Sequence, residues 1–176
     1  MLNLQELKNL AETPAFLSEM REVFFEAMNA GYATDAPKKK SILWLPQNKT
    51  IEYKRGDSWR VVDTYHVTPL GPRSGGTTII AYEEEPVWMM QYMGQYADEA
   101  IPCLKAALRA AYIEKKFFGG RGPDEFIYDG FVYRNEVDRS YRADFQTSNF
   151  FKGYEKIQNA KRESSGWHSY QGMMML

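Results

Sequence analysis

The sequence predicts an α+β domain in which a largely antiparallel, curved sheet, made of two helix-plus-four-strand repeats, carries its helices packed on one face. Three observations predict it. Two segments place apolar residues at three- and four-residue spacing, each is followed by stretches of period-two alternation, and the last strand of each half carries a Trp–Tyr–Gly pattern. At 176 residues, with 44% hydrophobic, 15% aromatic and 26% charged residues, the chain has the size and composition of one globular domain.

The first main helix is expected over about 14–29. Thr13 supplies the N-cap oxygen, Pro14 takes the first helical position, where its missing N–H is unpaired anyway, and Gly31 is a stop signal. Phe16, Met20, Val23, Phe24, Ala27 and Met28 then form one apolar stripe. A shorter helix is expected from Leu4 to Leu10. The second main helix is expected from about Asp98 to Lys116, with Ile101, Leu104, Leu108, Ala111 and Tyr112 facing the core and Gly119-Gly120 beyond its end.

Trp59, Val61, Asp63, Tyr65 and Val67 alternate with Arg60, Val62, Thr64, His66 and Thr68, the pattern of a strand between two environments. IEYKRGD, GTTIIAYEE and VWMMQYMGQY complete the first half, with GPRSGG and EEEP as turns. FVYRNEV, YRADFQT, YEKIQNA and GWHSYQGMMM are the strands expected in the second half. The repeat aligns Trp88 and Gly94 with Trp167 and Gly172, Gly76 and Ile80 with Gly153 and Ile157, and Tyr53 with Tyr133. The duplication thus runs approximately over 14–96 and 98–174 within a single 1–176 domain.

A net charge of −1 gives no general attraction to nucleic acid, and Lys38-Lys39-Lys40 reads as a solvated loop. The first residues lack a basic segment followed by a long apolar run, and no window is apolar enough to span a membrane. Together with a single cysteine, Cys103, this points to a cytoplasmic protein. With two isolated histidines, His66 and His168, and one thiol, no metal site and no cofactor are expected. Glu83-Glu84-Glu85 reads as a turn, and Gly119-Gly120-Arg121-Gly122-Pro123 as a flexible exit from the helix that keeps Arg121 as an anion contact.

FFEAMNAGYA near the start, PVWMMQYMG in the middle, Arg121-Gly122-Pro123, and SYQG near the end resemble the landmarks of an uncharacterised bacterial domain-of-unknown-function family, found alone or behind helix-turn-helix regulators of the xenobiotic-response type. Tyr170-Gln171-Gly172-Met173 departs from that pattern, where Tyr-His-Gly-Gly is expected. The resemblance implies a sensing or partner-binding module and brings no catalytic residues with it.

The expected function is therefore a non-enzymatic module binding a small molecule or a regulatory protein. Its ligand groove is lined by Asp63, Tyr65, Trp88, Tyr92, Arg121 and Tyr170, rings with polar tips beside two charged groups. The alternative is a hydrolase-like or other acid–base enzyme using Asp63, Tyr65, Asp138 and Glu155. A third reading is a self-associating structural protein, with a homodimer as its simplest form.

Overall fold

The computed structural model describes residues 3–33, 40–138 and 150–175. Three helices, α1 (Leu4–Ala11), α2 (Pro14–Met28) and α3 (Ile101–Ile113), accompany eight strands: β1 (Asn48–Arg55), β2 (Trp59–Thr68), β3 (Gly71–Tyr82), β4 (Glu85–Tyr96), β5 (Glu125–Tyr128), β6 (Phe131–Val137), β7 (Phe151–Gln158) and β8 (Ser164–Met174). All strands join one antiparallel, curved sheet in the order β1-β2-β3-β4-β8-β7-β6-β5. Each half is a meander, and the halves meet where β4 pairs with β8 and Tyr92 stands opposite Tyr170.

The helices form where local signals place them. The Thr13 side chain accepts from the Phe16 amide, and Asn3 and Glu6 make a capping box on α1. Gly31 does not stop α2. The backbone continues as a π-helical turn over Asn29–Ala33, and Gly31 packs so closely on Ile51 that a Cβ would lie 2.9 Å from its side chain. A 3-10 turn over Asp98–Ala100 precedes α3, which tolerates Pro102 in its first turn.

One face of the sheet is solvated and the other is buried under the helices, as antiparallel sheets allow. Phe16 meets Trp59 at 4.9 Å between ring centroids, and Phe24 meets Trp88 at 5.6 Å. GPRSGG is not a turn; it is the first half of β3, while Glu83 and Glu84 make the β3–β4 turn with positive φ. β5 is a short edge strand outside the expected set, and YRADFQT lies outside the described residues.

The register corrects part of the expected repeat alignment. Trp88 is buried beneath α2, whereas Trp167 lies on the opposite face, stacked on Tyr154 at 5.9 Å. The cause is strand alternation: Trp88 precedes Tyr92 by four residues and shares its face, but Trp167 precedes Tyr170 by three and does not. Tyr53, on β1, donates to Glu26 of α2, while Tyr133 sits on β6, so these tyrosines occupy unlike strands. Other positions do correspond. Gly76 pairs with Tyr92 as Gly153 pairs with Tyr170, and Ile80 and Ile157 are both fully buried on the third strand of their half.

Candidate ligand-binding cleft

Glycines set the geometry of the buried sheet face. A Cβ on Gly76 would lie 2.7 Å from the Tyr92 hydroxyl oxygen, and one on Gly153 would lie 2.2 Å from that of Tyr170. The missing side chains let each ring lie across the neighbouring strand. Tyr92 thereby donates to Asp63 on β2 (3.0 Å), which also accepts from Thr78 (2.7 Å). Tyr170 donates to Asn135 on β6 (2.6 Å). Gly94 opens the same kind of space for His168, whose Cδ2 would stand 2.4 Å from a Cβ there.

In the second half these rows converge on Glu155, which is fully buried. Its Oε1 accepts from Tyr96 (2.8 Å) and from Nε of Arg121 (3.1 Å) and is also bonded by Nη2; its Oε2 accepts from Tyr133 (2.5 Å). Arg121 arrives from the segment after α3, where Gly119 and Gly120 adopt positive φ, so this loop is a buried plug rather than a flexible exit. The Asn135 amide fixes the plug by donating to the carbonyls of Phe118 and Gly122, and Tyr133 accepts from the Gly122 amide. The Arg121 guanidinium carbon lies 5.1 Å from the Tyr92 ring centroid, a cation–π contact.

Burial alone would raise the Glu155 carboxyl above its usual range, but the charge and hydrogen bond of Arg121, together with the nearby His168 and the Tyr133 hydrogen bond, hold the carboxyl below that range. Burial, reinforced by Arg121, pushes His168 down to about 4 against the opposing pull of Glu155. The imidazole is therefore neutral at neutral pH. Its Nε2 is 3.3 Å from the Ser74 hydroxyl, and its buried Nδ1 has no hydrogen-bond partner among the described residues, with Glu155 Oε1 at 3.6 Å.

Above this hub lies a cleft of about 380 Å³ between α3 and one end of the first meander. Ile101, Leu104 and Leu108 of α3 form one wall, Tyr65 and Ser74 the other, and Tyr92, Tyr96, Arg121 and His168 the floor. Nη1 of Arg121 makes no hydrogen bond among the described residues. A wider depression of about 580 Å³ on the solvated face, between β4, β8, β7 and the end of β6, is bordered mostly by exposed or half-exposed side chains such as Gln91, Met93 and Tyr154, and has no buried charged floor.

Of the six residues expected to line a groove, Tyr65, Tyr92 and Arg121 border the cleft, and Asp63 holds Tyr92 from behind. Trp88 stacks on Phe151 in the core, and Tyr170, its ring buried under the 119–122 segment, borders the wider depression together with Tyr92. The acid–base set does not converge, because Asp138 pairs with Lys152 (3.3 Å) at the other depression. Sequence reasoning missed His168, Tyr96, Tyr133 and Asn135 as members of the site. One signal for the hub was present: Phe151, Gly153, Glu155 and Ile157 alternate on one face, and a glutamate on an otherwise apolar face needs a buried cation. Cys103, buried in α3 with its thiol pushed up by burial, packs the core. His66 is exposed and contacts the Pro46 carbonyl. Among the described residues, no three His, Cys, Asp or Glu side chains cluster as a metal site would require, and no helix is long and apolar enough to cross a membrane.

A two-meander α+β domain with an ionic hub under a small cleft is the class that fold and site define. The chain belongs to the family described as Domain of unknown function (DUF5680), which matches residues 72–174. No curated protein and no solved structure matches it. The matched stretch includes Ser74, Tyr92, Tyr96, Arg121, Glu155 and His168, whereas Asp63 and Tyr65 precede it.

Proposed function

We propose that the protein is a non-enzymatic small-molecule-binding module, sensory or accessory to another protein, whose ligand occupies the cleft between α3 and the first meander. The observation that carries the reading is Arg121. This guanidinium is only 5% exposed, braced by Glu155 and Tyr92, and keeps unbonded donors at the floor of a cavity in the size range of small-molecule sites. Tyr65 and Tyr92 supply apolar area with polar tips, and Asp63 orients Tyr92. The reading takes the halves as a duplicated unit, supported by the matched Gly76–Tyr92 and Gly153–Tyr170 pairs, with the site built where one half's hub reaches the other half's wall. Thermal unfolding against a metabolite library tests it, because a ligand at 100 times its dissociation constant stabilises the fold by about 2.7 kcal/mol. Leu104→Trp, which fills the cleft, should abolish the stabilisation. Stabilisation that survives this substitution places the ligand elsewhere and defeats the reading.

One observation favours the second reading, an acid–base enzyme: His168 stands between Ser74 and Glu155. Against it, Ser74 lies within a strand laddered on both sides, so it lacks the turn that would aim free amides at an oxyanion. Glu155 is already bonded by Arg121, Tyr96 and Tyr133, and the depressed imidazole is a weak base. Covalent labelling of Ser74 by a fluorophosphonate would overturn the binding-only reading.

A further inference from the structure

We infer that the cleft selects an organic anion, a carboxylate or phosphate monoester carried on a flat apolar body. The inference rests on the cleft being the ligand site. Its charged lining comprises Lys49, Arg73, Lys105 and Arg121 against Asp98 alone, in a chain whose overall charge is −1. Arg121 is balanced by Glu155 beneath it, so the three rim cations minus Asp98 leave a local excess of two positive charges.

These rim cations differ from the paired surface bases, although Lys8, Lys54, Arg109, Lys161 and Arg162, away from the cleft, make no ion pair among the described residues either. Lys40, Arg60, Arg134, Lys152 and Lys156 each pair with a carboxylate, whereas among the described residues no carboxylate lies within ion-pairing distance of Lys49, Arg73 or Lys105. Unpaired cations above a concave, partly apolar surface focus a positive potential into it. The body of the ligand is defined by the walls. Ile101, Leu104 and Leu108 face the rings of Tyr65, Tyr92 and Tyr96, which suits a flat group held between aliphatic and aromatic surfaces. Arg121 then provides a buried donor, and Ser74 with His168 a neutral polar end.

The test uses 1-naphthoate, 1-naphthyl phosphate and uncharged 1-naphthamide, with affinities measured by ligand-observed NMR on the full chain. Both anions should bind at least about tenfold more tightly than the amide at low ionic strength, which is about 1.4 kcal/mol, and should weaken as salt is added. Arg73→Ala and Lys105→Ala, at exposed positions that leave the core untouched, should each weaken the anions about two- to fivefold and leave the amide unchanged. Leu104→Trp should remove binding of all three. Equal affinity for anion and amide, both lost in Leu104→Trp, overturns anion selection while leaving the cleft as the site. Absence of any Leu104→Trp-sensitive binding overturns the anion inference, and neutral library ligands that stabilise the wild type but not Leu104→Trp then show the cleft serving another chemistry.

Discussion

In the first half, Tyr92 lies across Gly76 and donates to Asp63; in the second, Tyr170 lies across Gly153 and donates to Asn135. Between them on the third strand stands Thr78 in one case and Glu155 in the other. The buried carboxyl group stands on different strands in the two halves. Where it sits on the second strand, Asp63 is consumed within the sheet by Tyr92 and Thr78. Where an amide replaces it, Asn135 accepts from the tyrosine and also donates to the Phe118 and Gly122 carbonyls, which draws the 118–122 segment onto the sheet. The carboxylate of this half, on Glu155, meets the arginine that this segment carries. The same scaffold is thus plugged in one half and left open beside Arg73 and Ser74 in the other, and the cleft lies at that difference.

The largest expected effect comes from removing the third-strand carboxylate, Glu155. Glu155→Ala leaves Arg121 buried without its counter-ion and should cost about 3–5 kcal/mol in denaturant unfolding, whereas Thr78→Ala should cost only about 1 kcal/mol. Adding Arg121→Met to Glu155→Ala should recover part of the loss. Equal costs at the two third-strand positions would break the comparison.

The pH dependence isolates His168. An unfolded imidazole binds a proton near pH 6.5, but the native one does so only near 4, so the unfolded state binds more protons in that window and stability falls as pH falls through it. The total loss between pH 6.5 and 4 should approach about 3 kcal/mol. Glu155, whose folded carboxyl is depressed, adds its own loss only further down, as pH falls below the ordinary carboxyl range. His168→Gln should flatten the upper part of the curve, and an unchanged curve would remove His168 from the account.

Smaller effects sharpen the correspondence between the halves. Gly153→Ala and Gly76→Ala should each cost about 1–3 kcal/mol, the first because a Cβ would lie 2.2 Å from the Tyr170 hydroxyl, the second because it would lie 2.6 Å from both the Thr64 carbonyl oxygen and the Tyr65 Cβ. Gly71→Ala, which meets open space, should stay within about 0.5 kcal/mol. Tyr170→Phe should cost about 1–2 kcal/mol and Tyr92→Phe less, since Asp63 keeps the Thr78 donation while Asn135 Oδ1 loses its only donor among the described residues.

Much of the fold was legible because its signals are local. Thr13-Pro14 marks the start of α2, the apolar spacing gives its buried stripe, and the alternation through Trp59 to Val67 gives β2 and its inward face. Tyr65, Tyr92 and Arg121, named from the sequence for a groove, do border the cleft, because strand alternation and an arginine among glycines are visible locally. Beyond the sign that Glu155 on an apolar face gives, the partners of the hub were not legible, since it joins residues 22 to 94 positions apart: Tyr133, Arg121 and Tyr96 to Glu155, and Ser74 to His168.

The sequence by itself determined the helix stripes, the strand alternation and the class of fold, because helix caps and the periods of 3.6 and 2 act between neighbours in the chain. It also carried the Gly–Tyr pairs, although their meaning depended on register. Only the tertiary structure decided that Trp167 faces away from Trp88, that GPRSGG extends a strand, and that Arg121 is a buried plug over Glu155. A one-residue difference in spacing reverses the face of a strand residue, and a buried charge is stable only where a distant segment brings its counter-ion. Both are properties of how strands pair across the sheet, and no local stretch of sequence contains them.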